Sequence, residues 1–394
     1  MKVLVLNCGS SSIKCQLIDM EKKERIMKGL FDRIGGEKST LTVTVRGEKT
    51  KLECPAENFE EAISKILKLL VSEEYKVIQN LDEIGAIGHR IVHGGEKFSE
   101  SVIIDDEVID AIEDSIKLAP LHNPAGLAGI KACRTLLPTT PMVAVFDTAF
   151  HQTMEEMAYI YQLPYKYYED HRIRKYGFHG ISHRYISERV KEISGKSNLK
   201  IINCHLGQGA SLCAIKDGKS MDTTMGLTPL AGIPMGTRCG DIDPSIIPTL
   251  MKLYDFTPDQ MLQVLNKEAG AWGVSGVSTD FRDIEAEAAK GNERAILALE
   301  SRAYLIAQYI AKFIVTLQGV DYITFCGGIG ENGIEERERI CKHLECFGVK
   351  LDCEKNKIRG EEILISAEDS KIKVQVVPTN EESVIANDAY RLTK

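Results

Sequence analysis

Residues 5–19 read VLNCGSSSIKCQLID and residues 201–218 read IINCHLGQGASLCAIKDG. Each is an apolar run, an Asn-Cys pair, a turn rich in Gly or Ser, and a second apolar run ending in Asp, the pattern of two strands joined by a tight turn. With two extra residues allowed in the second turn, Asn7 matches Asn203 and Cys15 matches Cys213. A unit repeated at that distance predicts two domains of like topology. The length agrees, since 394 residues at roughly 150 per domain make two or three.

Composition narrows the class. With 43% hydrophobic and 27% charged residues the chain is an ordinary globular protein, neither disordered nor fibrous. A net charge of -8 argues against a nucleic-acid or anionic-membrane partner, so any bound phosphate must be captured locally. Eleven cysteines, an odd number without a C-x-x-C pair, read as reduced thiols rather than a disulfide framework or zinc site. The N-terminal apolar run breaks at Asn7 and no stretch is long enough to span a bilayer. A cytoplasmic protein is expected.

Strand-like and helical segments alternate, which makes the class α/β. Strands are predicted at Val3 to Leu6, Ile13 to Ile18 and Leu41 to Val45, and a buried strand ends at Asp147. Apolar residues recur at helical spacing from Phe59 to Val71, and again over the 25 residues from Glu293. A terminal helix is predicted from Glu381 to Leu392 with Asn380 as its N-cap. Residues 148–180 are rich in Tyr, His and Arg and poor in periodicity, which suits a segment crossing a cleft.

Four glycine-rich turns, at residues 9–12, 207–211, 236–240 and 327–333, could cradle phosphate oxygens on backbone N–H groups. No Walker sequence is present. Gly328-x-Gly330-x-x-Gly333 formally fits a dinucleotide fingerprint, so an NAD-dependent oxidoreductase stands as a remote alternative. Charged side chains within glycine-rich or apolar surroundings are more telling: Arg90 in GHRIVHGG, Arg238 in PMGTRCGDIDP, Asp147 at a strand end, and His179 in YGFHGISH. His179 and His183 share a helix face at i,i+4 but lack a third ligand nearby, so a metal site is not expected there.

Asn7-x-Gly9-Ser10-Ser11-Ser12-x-Lys14, together with TPLAGIPMGTRCGDIDP from Thr228 to Pro244, resembles the two signatures of the acetate kinases. GHRIVHGG, APLHNP, FDTAFH, YGFHGISH, HLGQGAS, GGIGEN and TNEE resemble further blocks of that family, in order along the whole chain. The resemblance implies the duplicated, actin-like (ribonuclease H-like) fold of the sugar-kinase, actin and heat-shock ATPase superfamily, with an active-site cleft between two domains. Residues 1–147 would form the first, with helix 383–394 packing back on it. Residues 148–382 would form the second and carry the nucleotide site and the interface of a homodimer. GGIGENG becomes a turn around the adenosine.

The implied activity is reversible transfer of the ATP γ-phosphoryl group to acetate, giving acetyl phosphate and ADP, with propionate kinase as the near alternative. Catalysis would fall to Arg90, Asp147, His179 and Arg238. Val92, Leu121, Phe178 and Pro229, with Arg90, would bind the carboxylic acid. Asn7 and Glu381 would hold Mg²⁺, or Mn²⁺. The nucleotide would meet Ser10, Ser12 and Lys14 in the first turn, then His205, Leu206, Gly207, Gln208 and Gly209 in the second. Gly328, Ile329, Gly330 and Asn332 would line the adenosine site. The chain departs from the family pattern at Gln208, Ala231 and Cys239, where Asn, Glu and Ser are usual. ATP is expected as the donor, with pyrophosphate left open by Gln208.

Elementary chemistry agrees with these roles. Acetate is ionised at neutral pH and needs no general base, but it repels a triphosphate, so the first requirement is concentrated positive charge. Planar arginine forks meet that need better than lysine.

Overall fold

The first quoted stretch folds as β1 (Lys2–Cys8) and β2 (Ser12–Asp19), paired antiparallel. β3 (Glu24–Asp32), β4 (Thr40–Val45) and β5 (Glu48–Glu53) extend the meander outward from β2. On the other side of β1 lies β6 (Ile84–Ile91), parallel to it. β7 (Val102–Ile103) is an antiparallel edge on β8 (Met142–Phe146), which runs parallel to β6. The strand order is β5-β4-β3-β2-β1-β6-β8-β7.

The second stretch repeats this plan. β9 (Lys200–Leu206), β10 (Ala210–Lys216) and β11 (Lys219–Thr223) form the antiparallel part. β12 (Tyr322–Cys326) follows parallel to β9, β13 (Ile363–Leu364) is an antiparallel edge, and β14 (Lys373–Val376) runs parallel to β12. The order β11-β10-β9-β12-β14-β13 matches β3-β2-β1-β6-β8-β7 strand for strand.

The repeat is real in topology but its residue match is shifted. β1 and β9 show the same succession of buried and half-buried positions, which puts Asn7 opposite His205, not Asn203. The turns agree: Cys8 pairs with Ile13 in one hairpin and Leu206 with Ala210 in the other, so the second turn is one residue shorter, not two longer. The shared Asn-Cys letters are a coincidence of sequence, because side-chain direction in a strand follows the pleat.

The computed structural model describes residues 1–36, 38–120 and 122–394. They form two compact units, Met1–Gln152 with Asn380–Lys394, and Thr153–Thr379. In the first unit the helix Phe59–Val71 forms as its periodicity predicts. Asn58 caps it by accepting from the Glu61 amide, and Ala62, Ile63, Ile66, Leu67 and Leu70 are buried on its inner face. The terminal helix, Glu381–Thr393, is capped by Asn380 and lays Val384, Ile385 and Ala389 on β6 and β1. Burial of a Val or Ile side chain such as these is worth roughly 1.5–3 kcal/mol. Gly88 in β6 permits the approach, since a Cβ there would stand 2.5 Å from Ile385 Cγ2.

GGIGEN, expected as a turn, is instead a short helix, Gly327–Asn332. Gly327, at φ 75°, makes the bend straight off β12, and the Glu331 side chain accepts from the Gly327 amide at 2.8 Å, so the helix begins without a loop. Among the described residues, no helix is long and apolar enough to cross a membrane.

Candidate active site

In the first unit, the carboxyl ends of the parallel strands carry the charged residues. Arg90 is the penultimate residue of β6, and Asp147 follows β8 directly, its amide bonded to the Ile91 carbonyl at 2.9 Å. Asp147, 2% exposed, accepts from Arg90 Nε at 3.0 Å and from Nη2 at 2.6 Å, a two-pronged pair. Glu381, at the start of the terminal helix, stands 3.8 Å from Arg90 Nη1. Burial alone would lower the Arg90 pKa, but the charges of Asp147 and Glu381 outweigh it and hold it above the ordinary value. Burial pushes the Glu381 carboxyl up, against the opposing pull of Arg90 and Lys14.

The β1–β2 turn lies at the same strand ends, with Leu6 paired to His89. Gly9 donates to the Ser12 carbonyl at 2.8 Å, and among the described residues the hydroxyls of Ser10, Ser11 and Ser12 make no hydrogen bond. Lys14 is exposed and pairs across the hairpin with half-buried Asn7. Asn7 and Glu381 carry oxygen donors of the kind that magnesium takes. Mg²⁺ is commonly held by one or two protein oxygens, with phosphates and waters completing the shell. A carboxylate under-compensated by its surroundings is a suitable anchor. Val92, just past β6, is half-buried, and Leu121 lies outside the described residues.

In the second unit, His179 occupies the N-cap of the helix Gly180–Ser194 at φ 57°, an unusual conformation for a residue with a side chain. Its Nδ1 lies 2.9 Å from Ser211 Oγ, and its ring stacks on His205 at 4.3 Å. His205 is held by Ser182 at 2.9 Å. His183, on the same helix face, spends Nε2 on Ser211 at 2.8 Å and Nδ1 on Asn203 at 2.8 Å, which leaves neither nitrogen for a metal.

Arg238 sits in a loop strapped down on several sides. Met235 donates to its carbonyl, Cys239 to the Leu265 carbonyl, and Asp241 Oδ1 accepts from the Gly232 amide at 2.7 Å. Arg238 Nη1 donates to the Pro229 carbonyl at 3.0 Å. Burial lowers its pKa, and among the described residues no carboxylate comes within ion-pair distance. A methyl group placed on Gly209 would lie 3.5 Å from both Arg238 Nη1 and His179 Nε2, so the glycine turn opens between these two groups.

Beside this turn lies a cavity of about 920 Å³. Of the expected nucleotide residues, Gly207, Gln208, Gly328, Ile329 and Asn332 line it. Gly330 does not; it is buried and its carbonyl accepts from Arg337 at 2.9 Å. Leu206 is a core residue of β9. Phe178 is 2% exposed, whereas Pro229 is half-buried. Gln208 turns its amide to the Thr279 carbonyl at 3.3 Å, with Oε1 packed toward Gly236. Sequence reading missed Phe281, Arg282, Glu336, Arg339 and Arg359, which also line the cavity. The Asp280-Phe-Arg run had no glycine context to mark it. Arg302 and Glu336 form a buried ion pair under Phe281, whose ring centre is 4.5 Å from the guanidinium.

A half-buried arginine with no carboxylate partner among the described residues, beside an open glycine turn, suits an anion, and a cavity of this size takes a nucleoside. On a twice-repeated sheet of this topology, that combination defines a phosphotransferase of the duplicated ribonuclease H-like class. The model of the acetokinase family matches residues 2–387. An acetate kinase of Clostridium botulinum (strain 657 / Type Ba4) is 56% identical over 395 residues, covering all of both chains. The crystal structure of Porphyromonas gingivalis acetate kinase superposes with a TM-score of 0.96 at 46% identity, covering all of both chains. A propionate kinase from Francisella tularensis subsp. tularensis SCHU S4 does so with 0.93 at 39%, covering 99% of each. The chain belongs to the acetokinase family, with the enzyme activity, acetate kinase, that this membership carries.

Proposed function

We propose that the enzyme transfers the γ-phosphoryl group of ATP directly to acetate, by in-line displacement. An acetate oxygen forms the new bond to phosphorus as the bond to the β,γ-bridging oxygen breaks, and ADP leaves with that electron pair. No proton changes hands, so the protein's task is positioning and charge. Arg90, aimed by its two-pronged bond to Asp147, holds the acetate carboxylate. Arg238 and the Nε2–H of His179 donate to the oxygens of the transferring group, and the Gly207–Gly209 turn supplies backbone donors. Asn7 and Glu381 would hold Mg²⁺, whose charge would offset that of the phosphate oxygens. Lys14 and the free serine hydroxyls of the first turn meet the phosphates.

The observation that carries this reading is the full-length 56% identity to acetate kinases, joined to a half-buried arginine with no carboxylate partner among the described residues. Val92 favours acetate over propionate. One methylene is worth only about 1–3 kcal/mol, and the likeness to a propionate kinase keeps the longer acid as the second reading. A homodimer is supported by the helix Ile246–Tyr254, IIPTLMKLY, which buries none of its residues and leaves Leu253 70% exposed. A cytoplasmic setting suits eleven free cysteines.

The test is acyl-phosphate formation, trapped as hydroxamate, with acetate, propionate and butyrate, and with ATP or pyrophosphate as donor. Acetate with ATP should give the highest kcat/KM, and Arg238→Ala should lower it about 10²–10³-fold. Turnover with pyrophosphate and none with ATP, or an Arg238→Ala enzyme of normal rate, refutes the proposal.

A further inference from the structure

Behind His179 runs a chain of four fully buried polar side chains, Ser211, His183, Asn203 and Thr324, none of which reaches the cavity. Its links are short: Thr324 Oγ1 to Asn203 Oδ1 at 2.7 Å, Asn203 Nδ2 to His183 Nδ1 at 2.8 Å, His183 Nε2 to Ser211 Oγ at 2.8 Å, and Ser211 Oγ to His179 Nδ1 at 2.9 Å. Histidine and serine can each donate or accept, so by themselves they leave the direction of such a chain undefined. Asn203 defines it, because its amide nitrogen only donates and its oxygen only accepts. The oxygen end faces two donors, the Thr324 hydroxyl and, at 3.5 Å, the Cys326 thiol.

We infer that Asn203, His183 and Ser211 are positioning residues that lock His179 as the neutral tautomer with its proton on Nε2. The steps follow one another. Asn203 donates to His183 Nδ1, which must then carry a lone pair, so the His183 proton is on Nε2. That proton is donated to Ser211 Oγ. Ser211, with no other partner among the described residues, gives its own hydrogen to His179 Nδ1. The one remaining proton of His179 lies on Nε2, the nitrogen beside Gly209 and Arg238. The ring is further fixed in plane by the stack on His205.

The consequence is a division of labour. A doubly protonated His179 would turn Nδ1 from acceptor to donor and leave the Ser211 hydrogen without an acceptor, a costly state at a fully buried site. Positive charge therefore comes from arginine, while His179 supplies one directed hydrogen bond to the transferring group and never has to lose a proton to turn over. The inference rests on the role proposed for His179, and the two are separable by experiment.

The first measurement is long-range ¹⁵N NMR on the full-length enzyme labelled at histidine, with the His179 signals assigned by their loss in His179→Gln. At neutral pH a pyrrole-type Nε2 and a pyridine-type Nδ1 are expected. An Nδ1–H tautomer or an imidazolium overturns the inference, whatever the activity. The second is Asn203→Asp, which keeps the shape but can only accept. Its carboxylate favours the His183 tautomer protonated on Nδ1 and accepts from it, which reverses every link and leaves a lone pair on His179 Nε2. The expected result is a reversed tautomer in the spectrum and a kcat lower by ~10²-fold or more, with KM for ATP and acetate little changed. An unchanged His179 tautomer in Asn203→Asp also overturns it, whereas a kcat equal to wild type despite the reversed tautomer refutes the donor role of His179. If Asn203→Asp does not fold, the wild-type spectrum decides alone. His179→Ala with undiminished kcat would instead refute the role of His179 and leave the tautomer reading standing.

Discussion

Adding one methyl group at Gly209 tests the donor half of the mechanism with little disturbance of the fold. The new Cβ meets nothing closer than 3.5 Å, and the glycine does not adopt a left-handed conformation, so Gly209→Ala is tolerated by the backbone. Replacing glycine where alanine fits usually stabilises slightly, by about 0.4–1 kcal/mol. The methyl, however, lies in van der Waals contact with Arg238 Nη1 and His179 Nε2 at once. An oxygen receiving hydrogen bonds from these groups must approach to about 2.7–3.1 Å, and a carbon already touching both nitrogens obstructs that approach. Loss of one such donor costs about 2.7–4 kcal/mol of transition-state stabilisation, a factor of 10²–10³ in kcat. The assay is hydroxamate formation at saturating acetate and ATP, alongside thermal unfolding of the same preparation. The expected result is that fall in kcat with an unchanged or slightly raised Tm. An enzyme of near wild-type kcat, or one whose activity loss follows a fall in Tm, refutes the reasoning.

Three further predictions concern the first unit and the assembly. Burial pushes the His89 pKa from 6.5 down to about 3, so the folded state binds fewer protons than the unfolded chain between these values. Its contribution to stability is complete above 6.5 and falls as pH drops through that window, by ~2 kcal/mol between pH 6.5 and pH 5; urea denaturation of wild type against His89→Leu should show the shallower pH dependence in the variant. Gly88→Ala forces a Cβ to within 2.5 Å of Ile385 Cγ2 and should cost about 1–3 kcal/mol in urea unfolding, with the terminal helix losing amide-exchange protection first. Leu253→Asp, on the helix without buried residues, should halve the mass seen by sedimentation while circular dichroism stays the same.

The match between letters and fold differs from element to element for physical reasons. The helix at Phe59–Val71 and the capped terminal helix are legible because periodicity and capping are local properties of the chain. The repeated hairpin is legible as a topology, since strand, turn and strand follow one another directly. Its register is not: the shared Asn-Cys pair points to Asn203, whereas the pleat makes His205 the counterpart of Asn7 and sends Asn203 into the core. GGIGEN reads as a turn until Glu331 is seen capping the Gly327 amide. The interior strand β3 and the edge strand β5 carry too many charged residues for an apolar run to reveal them, and they form because a neighbouring strand offers its open side.

By itself the sequence determined the α/β class, the duplicated hairpin, the terminal helix, and the side chains whose charge or glycine context marks them for phosphate chemistry. Only the tertiary structure decided how those side chains are tuned. Asp147 grips Arg90 with two bonds while Arg238, half-buried, has no carboxylate partner among the described residues, a contrast between two arginines that look alike along the chain. It also decided that residues as far apart as His179, Ser211, Asn203 and Thr324 form one buried line of hydrogen bonds. Hydrogen-bond direction and desolvation depend on which groups meet through space, and no local pattern of residues encodes either.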